Sequence, residues 1–152
     1  MNTARYLLSC VSAAEAQLSC ADEVDAYLVR YGYTRFTRFS KEGSGIMMAT
    51  RIASPCFGRV LLCADYSSYA GYGSVRLTLR SPSGAQLGCE VTLSLPVAGE
   101  VLLSVLYTLG EAARTCSSYI ELDSETQRIR DQAAYADTEI MFPLDLSLCA
   151  TP

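Results

Sequence analysis

A series of extended segments between Tyr33 and Leu95, separated by short turns, constrains the fold of this chain more than any other feature. The clearest is GSVRLTLRS at residues 73–81, where Val, Leu and Leu would lie on one face of a strand and Arg, Thr and Arg on the other. Four more segments have strand character: residues 33–41, 46–53, 58–66 and 86–95. Because the turns are short, each strand is expected to pair with the next, which predicts a five-stranded antiparallel meander sheet.

Helical periodicity on both sides of these segments predicts helices that pack on the sheet. Two N-terminal helices are expected, over residues 4–18 and about 20–31. On the C-terminal side, apolar residues recur at helical spacing from Leu102 to Ile120, over about five turns. This pattern predicts one long helix that lies across the sheet and supplies much of the core.

The C-terminal part is expected to contain a weaker helix followed by an extended tail. A capping-box pattern at Ser124 and Gln127 predicts that this helix begins there and continues to about Ala136. In the tail, residues 138–152, three leucines alternate with polar residues and form a candidate edge for a homodimer: Leu144, Leu146 and Leu148. With 152 residues, the chain has the length of a single domain, so one α+β domain over residues 1–152 is predicted.

The residue inventory excludes several kinds of active site. The chain has no histidine, which removes Ser-His and Cys-His dyads and most zinc sites. It has neither a P-loop nor a G-x-G-x-x-G motif. The chain is therefore expected not to be an enzyme and to need no cofactor or metal. The alternative is a Mg²⁺-dependent enzyme that uses an acidic cluster: Glu121, Asp123 and Glu125.

Cysteine usage and charge indicate the environment of the protein and the type of its partner. The seven cysteines are an odd number, widely spaced and without a C-x-x-C pair, which favours a reducing cytoplasm. The longest apolar run, residues 101–110, is too short to cross a bilayer, so no membrane association is expected. Residues 28–80 carry eight bases and two acids although the whole chain has a net charge of −4. This basic middle either neutralises the acidic ends or forms a face for an anionic partner.

A tyrosine-rich stretch, DYSSYAGYGS at residues 65–74, is the first candidate for a binding surface. Tyrosine gives a large, rigid contact area, and Ser and Gly let a loop adapt to its partner. The predicted contact residues are Tyr66, Tyr69 and Tyr72, with Arg76 and Arg80 adding charge complementarity. The alternative is a long hairpin whose tyrosines pack on the protein's own sheet.

A basic and aromatic stretch, RYGYTRFTRFSK at residues 30–41, is the second candidate. Arginines beside aromatic residues can neutralise phosphates and stack on bases, so nucleic acid or another anionic ligand is the alternative partner. The predicted anion-binding residues are Arg30, Arg35, Arg38 and Lys41. Strand alternation would place these bases on both faces of the strand. This pattern favours instead an edge strand whose charged side chains prevent pairing with another chain.

The absence of a catalytic motif and the tyrosine-rich stretch together favour one function over the others. We expect a small cytoplasmic protein-binding module of the inhibitor, immunity or adaptor type, a class that includes phage-encoded and other mobile-element proteins. Such a protein acts by stoichiometric contact with a protein partner. Nucleic-acid binding and Mg²⁺-dependent catalysis are the two alternatives.

Overall fold

The computed structural model describes residues 17–40, 43–66 and 73–134 of the chain. Over these ranges the protein belongs to the α+β class and is built on a five-stranded antiparallel sheet. The strands are β1 (Gln17–Leu18), β2 (Thr34–Ser40), β3 (Gly43–Ser54), β4 (Gly58–Tyr66), β5 (Ser74–Arg80), β6 (Gln86–Ser94) and β7 (Val97–Ala98). The order of the large sheet is β2-β3-β4-β5-β6, and β1 and β7 form a separate antiparallel pair. The predicted strand segments and the antiparallel five-stranded sheet are confirmed.

The described part of the chain contains one helix before the sheet, where two were predicted. This helix, α1 (Ala21–Val29), corresponds to the second predicted helix. The first predicted helix is wrong at its end, because Gln17 and Leu18 form β1 and pair with β7. Burial of the Leu18 side chain against the core and this pairing favour an extended backbone there over a continued helix. The rest of that predicted helix, residues 4–16, lies outside the described residues.

The C-terminal helical region is divided differently from the prediction. The single long helix expected up to Ile120 is wrong, since α2 (Gly99–Thr115) ends before α3 (Tyr119–Ala133) begins. Ser118 is the N-cap of α3, and its hydroxyl accepts a hydrogen bond from the Glu121 amide at 3.1 Å. The predicted helix start at Ser124 is therefore also wrong. The predicted tail, with Leu144, Leu146 and Leu148, lies outside the described residues.

The main core lies between one face of the sheet and helices α1, α2 and α3. Alternate residues of β4 and β5, such as Leu62 and Leu77, point into it, and α2 contributes Leu102, Leu106 and Leu109. Helix α3 packs on the edge strand β6, where the register shifts between Leu77 and Leu79 of β5. None of the described helices is long and apolar enough to cross a membrane.

The opposite face of the large sheet carries a second, smaller group of buried side chains. Its apolar members are Met47, Ala49, Leu61 and Cys63, with Phe36 packed against them. Three polar or charged side chains on the same face are also buried: Asp65, Thr78 and Arg80. Both faces of the large sheet therefore contribute buried side chains, and the charged groups on this second face must find partners within the fold.

Candidate functional site

Tyr66, the first of the predicted contact tyrosines, packs and forms hydrogen bonds within the protein's own fold. It is the last residue of β4, and its side chain is half-buried against the main core. Its hydroxyl lies 2.9 Å from Asp25 Oδ1 and 3.1 Å from the Ala21 carbonyl oxygen, both in α1. Burial, followed by the nearby Asp25 charge, raises the pKa of Tyr66, so the hydroxyl stays protonated and acts as the donor. This tyrosine joins α1 to the sheet.

The two predicted contact arginines lie on the other face of the sheet. Arg76 donates two hydrogen bonds to Asp65, from Nε and Nη2, each at 2.9 Å. Its pKa is raised, mainly by these hydrogen bonds. Arg80 is buried, and its Nη1 donates to the Gly84 carbonyl oxygen at 2.9 Å, which braces the turn between β5 and β6.

The structure therefore does not bring Tyr66 together with Arg76 and Arg80. Strand alternation places Tyr66 on the helix-covered face, and Asp65 and Arg76 on the opposite one. Tyr69 and Tyr72 lie outside the described residues. Whether the tyrosine-rich stretch contacts a partner stays a prediction.

The basic and aromatic stretch forms the end of α1 and the edge strand β2. Arg30 and Arg35 are exposed, and Arg30 is the C-cap residue of α1. Arg38 lies in β2, and only its backbone is described. Lys41 lies outside the described residues. The strand β2 lies at the edge of the sheet, which agrees with the edge-strand interpretation. Binding of nucleic acid or another anionic ligand by this stretch stays a prediction.

The acidic cluster of the enzyme alternative lies on α3, where two of its members have local partners. Glu121 accepts a hydrogen bond from the Ser117 hydroxyl at 2.8 Å. Glu125 pairs with Arg128, whose hydrogen bond holds the pKa of this carboxyl below its usual range. Among residues 17–40, 43–66 and 73–134, no group of three or more His, Cys, Asp and Glu side chains could hold a metal ion.

An exposed apolar surface lies at the end of the sheet where β4 begins. It consists of Phe57, Tyr119 and Ile120, which we call the apolar patch. The rings of Phe57 and Tyr119 are 5.1 Å apart and tilted by 54°. Tyr119 is 63% exposed and Ile120 is 80% exposed, so two large side chains that follow each other in the chain face solvent. Apolar spacing predicted Ile120 on the buried face of a longer helix, so this surface was not among the predicted sites.

A pocket of about 220 Å³ opens where β2 begins, between strands β3 and β4 and helix α2. Its lining residues are Tyr31, Tyr33, Thr50, Arg51, Ile52, Leu62, Leu103, Leu106, Tyr107, Gly110 and Arg114. Two of its tyrosines belong to the basic and aromatic stretch, but the two predicted bases whose side chains are described, Arg30 and Arg35, are not among the lining residues. The signal that sequence reasoning passed over is Gly110, a glycine in the interior of a helix.

A comparison with known proteins finds no matching family model, no matching curated protein and no matching solved structure.

Proposed function

We propose that this chain is a protein-binding module of the inhibitor, immunity or adaptor type and that the apolar patch is its principal contact. The observation that supports the proposal is the exposure of Tyr119, whose ring contacts half-buried Phe57, and of its chain neighbour Ile120. Isolated apolar residues on a surface are ordinary, but aromatic and aliphatic side chains grouped at one place are typical of a binding surface. Tyrosine is also enriched among the residues that dominate binding energy.

Two hydrogen bonds connect the segments that carry the patch. The Phe57 amide donates to the Ser54 hydroxyl at 2.9 Å, which shapes the turn between β3 and β4. The Cys56 thiol lies 3.1 Å from the Ser117 carbonyl oxygen and joins this turn to the segment before α3. A surface that is ordered before binding loses less conformational entropy when a partner arrives.

The patch and the tyrosine-rich stretch lie at opposite ends of β4. The patch follows the β3–β4 turn, and the stretch begins at the last residues of β4. A strand of 9 residues spans about 25–30 Å, so a small partner contacts one of the two surfaces. Tyr66 already bonds to Asp25, so the informative variant of the stretch is Tyr69→Ala combined with Tyr72→Ala.

The experiment is an affinity pull-down from native host lysate at high salt, read by mass spectrometry, with wild type and three variants. The patch variant is Tyr119→Ser with Ile120→Asp. Its matched control is Val29→Asp, which changes another exposed apolar residue, 57% exposed, on α1. The third variant is the double tyrosine variant of the stretch.

We expect wild type and the Val29→Asp control to retain one protein partner and the patch variant to lose it. Native mass measurement of the complex should give an equimolar ratio. If the patch variant retains the partner and the tyrosine variant loses it, the tyrosine-rich stretch is the contact surface instead. If wild type retains no protein at high salt, the proposed function is wrong.

A further inference from the structure

The pocket beside Tyr33 has an apolar floor and an aromatic rim. Ile52, Leu62 and Leu106 are buried and form the floor, while Tyr31 and Tyr107 are half-buried at the rim. Pockets that take drug-sized ligands enclose about 300–1,000 Å³. At about 220 Å³, this pocket has room for a ligand with a single ring. The apolar walls of the pocket suit the ring of such a ligand, and the polar groups of the lining must determine which ligand binds.

Tyr33 places a hydrogen-bond donor in this lining. The residue lines the pocket and is only 8% exposed as a whole. Burial raises the pKa of Tyr33, so the hydroxyl remains protonated at neutral pH. A phenol hydroxyl at the wall of a pocket can donate a hydrogen bond to a ligand or to water.

Arg114 makes the same region electropositive. It lines the same pocket, and its Nη1 lies 3.5 Å from the position of a Cβ atom at Gly110, so the guanidinium lies at this wall. Its charge also opposes the rise in the pKa of Tyr33 that burial causes. Arg114 Nη1 also pairs with Glu111 at 2.7 Å, but both side chains are largely exposed, and surface pairs of this kind are weak. Among the described residues that line the pocket there is no carboxylate, and Arg114 is the arginine on the same side of the sheet as Ile52, because strand alternation places Arg51 of β3 on the opposite face. An anionic group is therefore complementary to this pocket.

Gly110 keeps the pocket open. A Cβ atom at this position would lie 3.2 Å from Ile52 Cδ1, 3.5 Å from Arg114 Nη1 and 3.8 Å from Leu62 Cδ2. Any larger residue would place atoms between the floor and the guanidinium. Glycine also lowers helix stability by about 1 kcal/mol relative to alanine, so the residue that keeps this space open also destabilises α2.

We propose that this pocket binds a small aromatic carboxylate. The carboxylate accepts hydrogen bonds from the Tyr33 hydroxyl and the Arg114 guanidinium. The ring lies on Ile52, Leu62 and Leu106. This site shares no residue with the apolar patch, so the two proposals stand or fall separately.

The test is isothermal titration of the whole chain with phenylacetate and benzoate, and with their neutral amides, at constant ionic strength. We expect millimolar or tighter binding of at least one acid and at least about tenfold weaker binding of its amide, because a hydrogen bond to a charged group gives this ratio or more. Tyr33→Phe removes only the hydroxyl, and Arg114→Gln removes only the charge. Each should weaken binding of the acid about tenfold or more.

Arg128→Gln is the matched control, because Arg128 and Glu125 form the same kind of i,i+3 pair on α3. It should leave the affinity unchanged, as should Ile120→Asp, which disables the patch alone. Gly110→Ala should weaken binding of both acid and amide by narrowing the pocket. Equal affinity for acid and amide, equal effects of Arg114→Gln and Arg128→Gln, or no binding at millimolar concentration would each overturn the proposal.

Discussion

The Tyr66 hydroxyl lies 2.9 Å from a carboxylate oxygen of Asp25, so the last residue of β4 is hydrogen-bonded to helix α1. The two residues are 41 positions apart in the chain. The bond fixes α1 over the sheet at the point where the tyrosine-rich stretch begins. It also accounts for one of the three tyrosines that a binding loop was expected to display.

Replacing Tyr66 with Phe should therefore lower stability. The ring and its packing remain, and the lost hydrogen bond to a carboxylate gives an expected decrease of about 1–2 kcal/mol in the free energy of unfolding. Urea denaturation followed by circular dichroism measures it. A change in the free energy of unfolding smaller than the error of the extrapolation to zero urea would show that water binds Asp25 as well as the Tyr66 hydroxyl does.

The same contact predicts a pH dependence. Burial raises the pKa of Asp25, while the Tyr66 hydrogen bond acts in the opposite direction. The folded protein therefore holds this proton more tightly than the unfolded chain does. Its contribution to stability is present at low pH and is lost as pH rises from about 4 through the raised pKa.

The measurement is the free energy of unfolding of wild type and Asp25→Asn across this pH range. Wild type should lose stability relative to Asp25→Asn as pH rises, and Tyr66→Phe should extend the window upward because it removes the opposing hydrogen bond. A constant difference between wild type and Asp25→Asn would contradict the raised pKa.

The Asp65–Arg76 pair gives the third prediction. The Asp65 side chain is 8% exposed and accepts two hydrogen bonds from Arg76. Arg76→Met leaves that carboxylate buried with fewer donors, so a loss of about 2–3 kcal/mol in unfolding free energy is expected. Arg128→Met, which breaks an exposed pair, should cost less than about 1 kcal/mol. Similar losses in both variants would mean that Asp65 does not depend on Arg76.

The strand region could be predicted well because alternation in sequence coincides with burial in the structure. In β5, Val75, Leu77 and Leu79 are fully buried on one face, as their spacing indicated. The same reasoning could not show that Thr78 and Arg80 would be buried on the other face. Two-sided burial of a strand depends on what covers the second face, and this is a tertiary property.

The boundary between α2 and α3 was harder to predict, because apolar spacing continues across it. Cys116 and Ile120 fit the period of the preceding helix, yet Cys116 lies in the break and Ile120 is 80% exposed. The backbone becomes extended at Cys116, where α2 ends, and the cap made by Ser118 with Glu121 begins α3. The candidate surfaces were missed for a related reason. The patch and the pocket join residues far apart in the chain, and no local pattern marks them.

This boundary gives the fourth prediction. Ser118→Ala should lower the free energy of unfolding by about 1 kcal/mol, because it removes the acceptor for the Glu121 amide. Ser124→Ala is the control at the other serine with a capping pattern. Ser124 is exposed inside α3, so alanine there should be neutral or slightly stabilising. The reverse order of effects would place the start of α3 at Ser124.

The contact between β6 and α3 gives the last prediction. Gly88 has φ +71°, and a Cβ atom there would lie 2.6 Å from Thr126 Oγ1, closer than real contacts allow. That oxygen also accepts the Cys89 amide at 2.8 Å. Gly88→Ala would displace Thr126 and add backbone strain, so a loss above about 2 kcal/mol is expected.

Gly84 offers a matched comparison for Gly88, because it too has a positive φ, +95°, but its Cβ position faces open space. Gly84→Ala should therefore cost only the strain of about 1–2 kcal/mol. The difference between the two variants in chemical denaturation isolates the steric contact with Thr126. If the two losses are equal, β6 and α3 are free to separate slightly at this point, and the contact does not determine how α3 sits on the sheet. A larger loss for Gly88→Ala, reduced when Thr126→Ala is added to it, would show that the Thr126 side chain sets the spacing between the edge strand and the helix that carries the apolar patch.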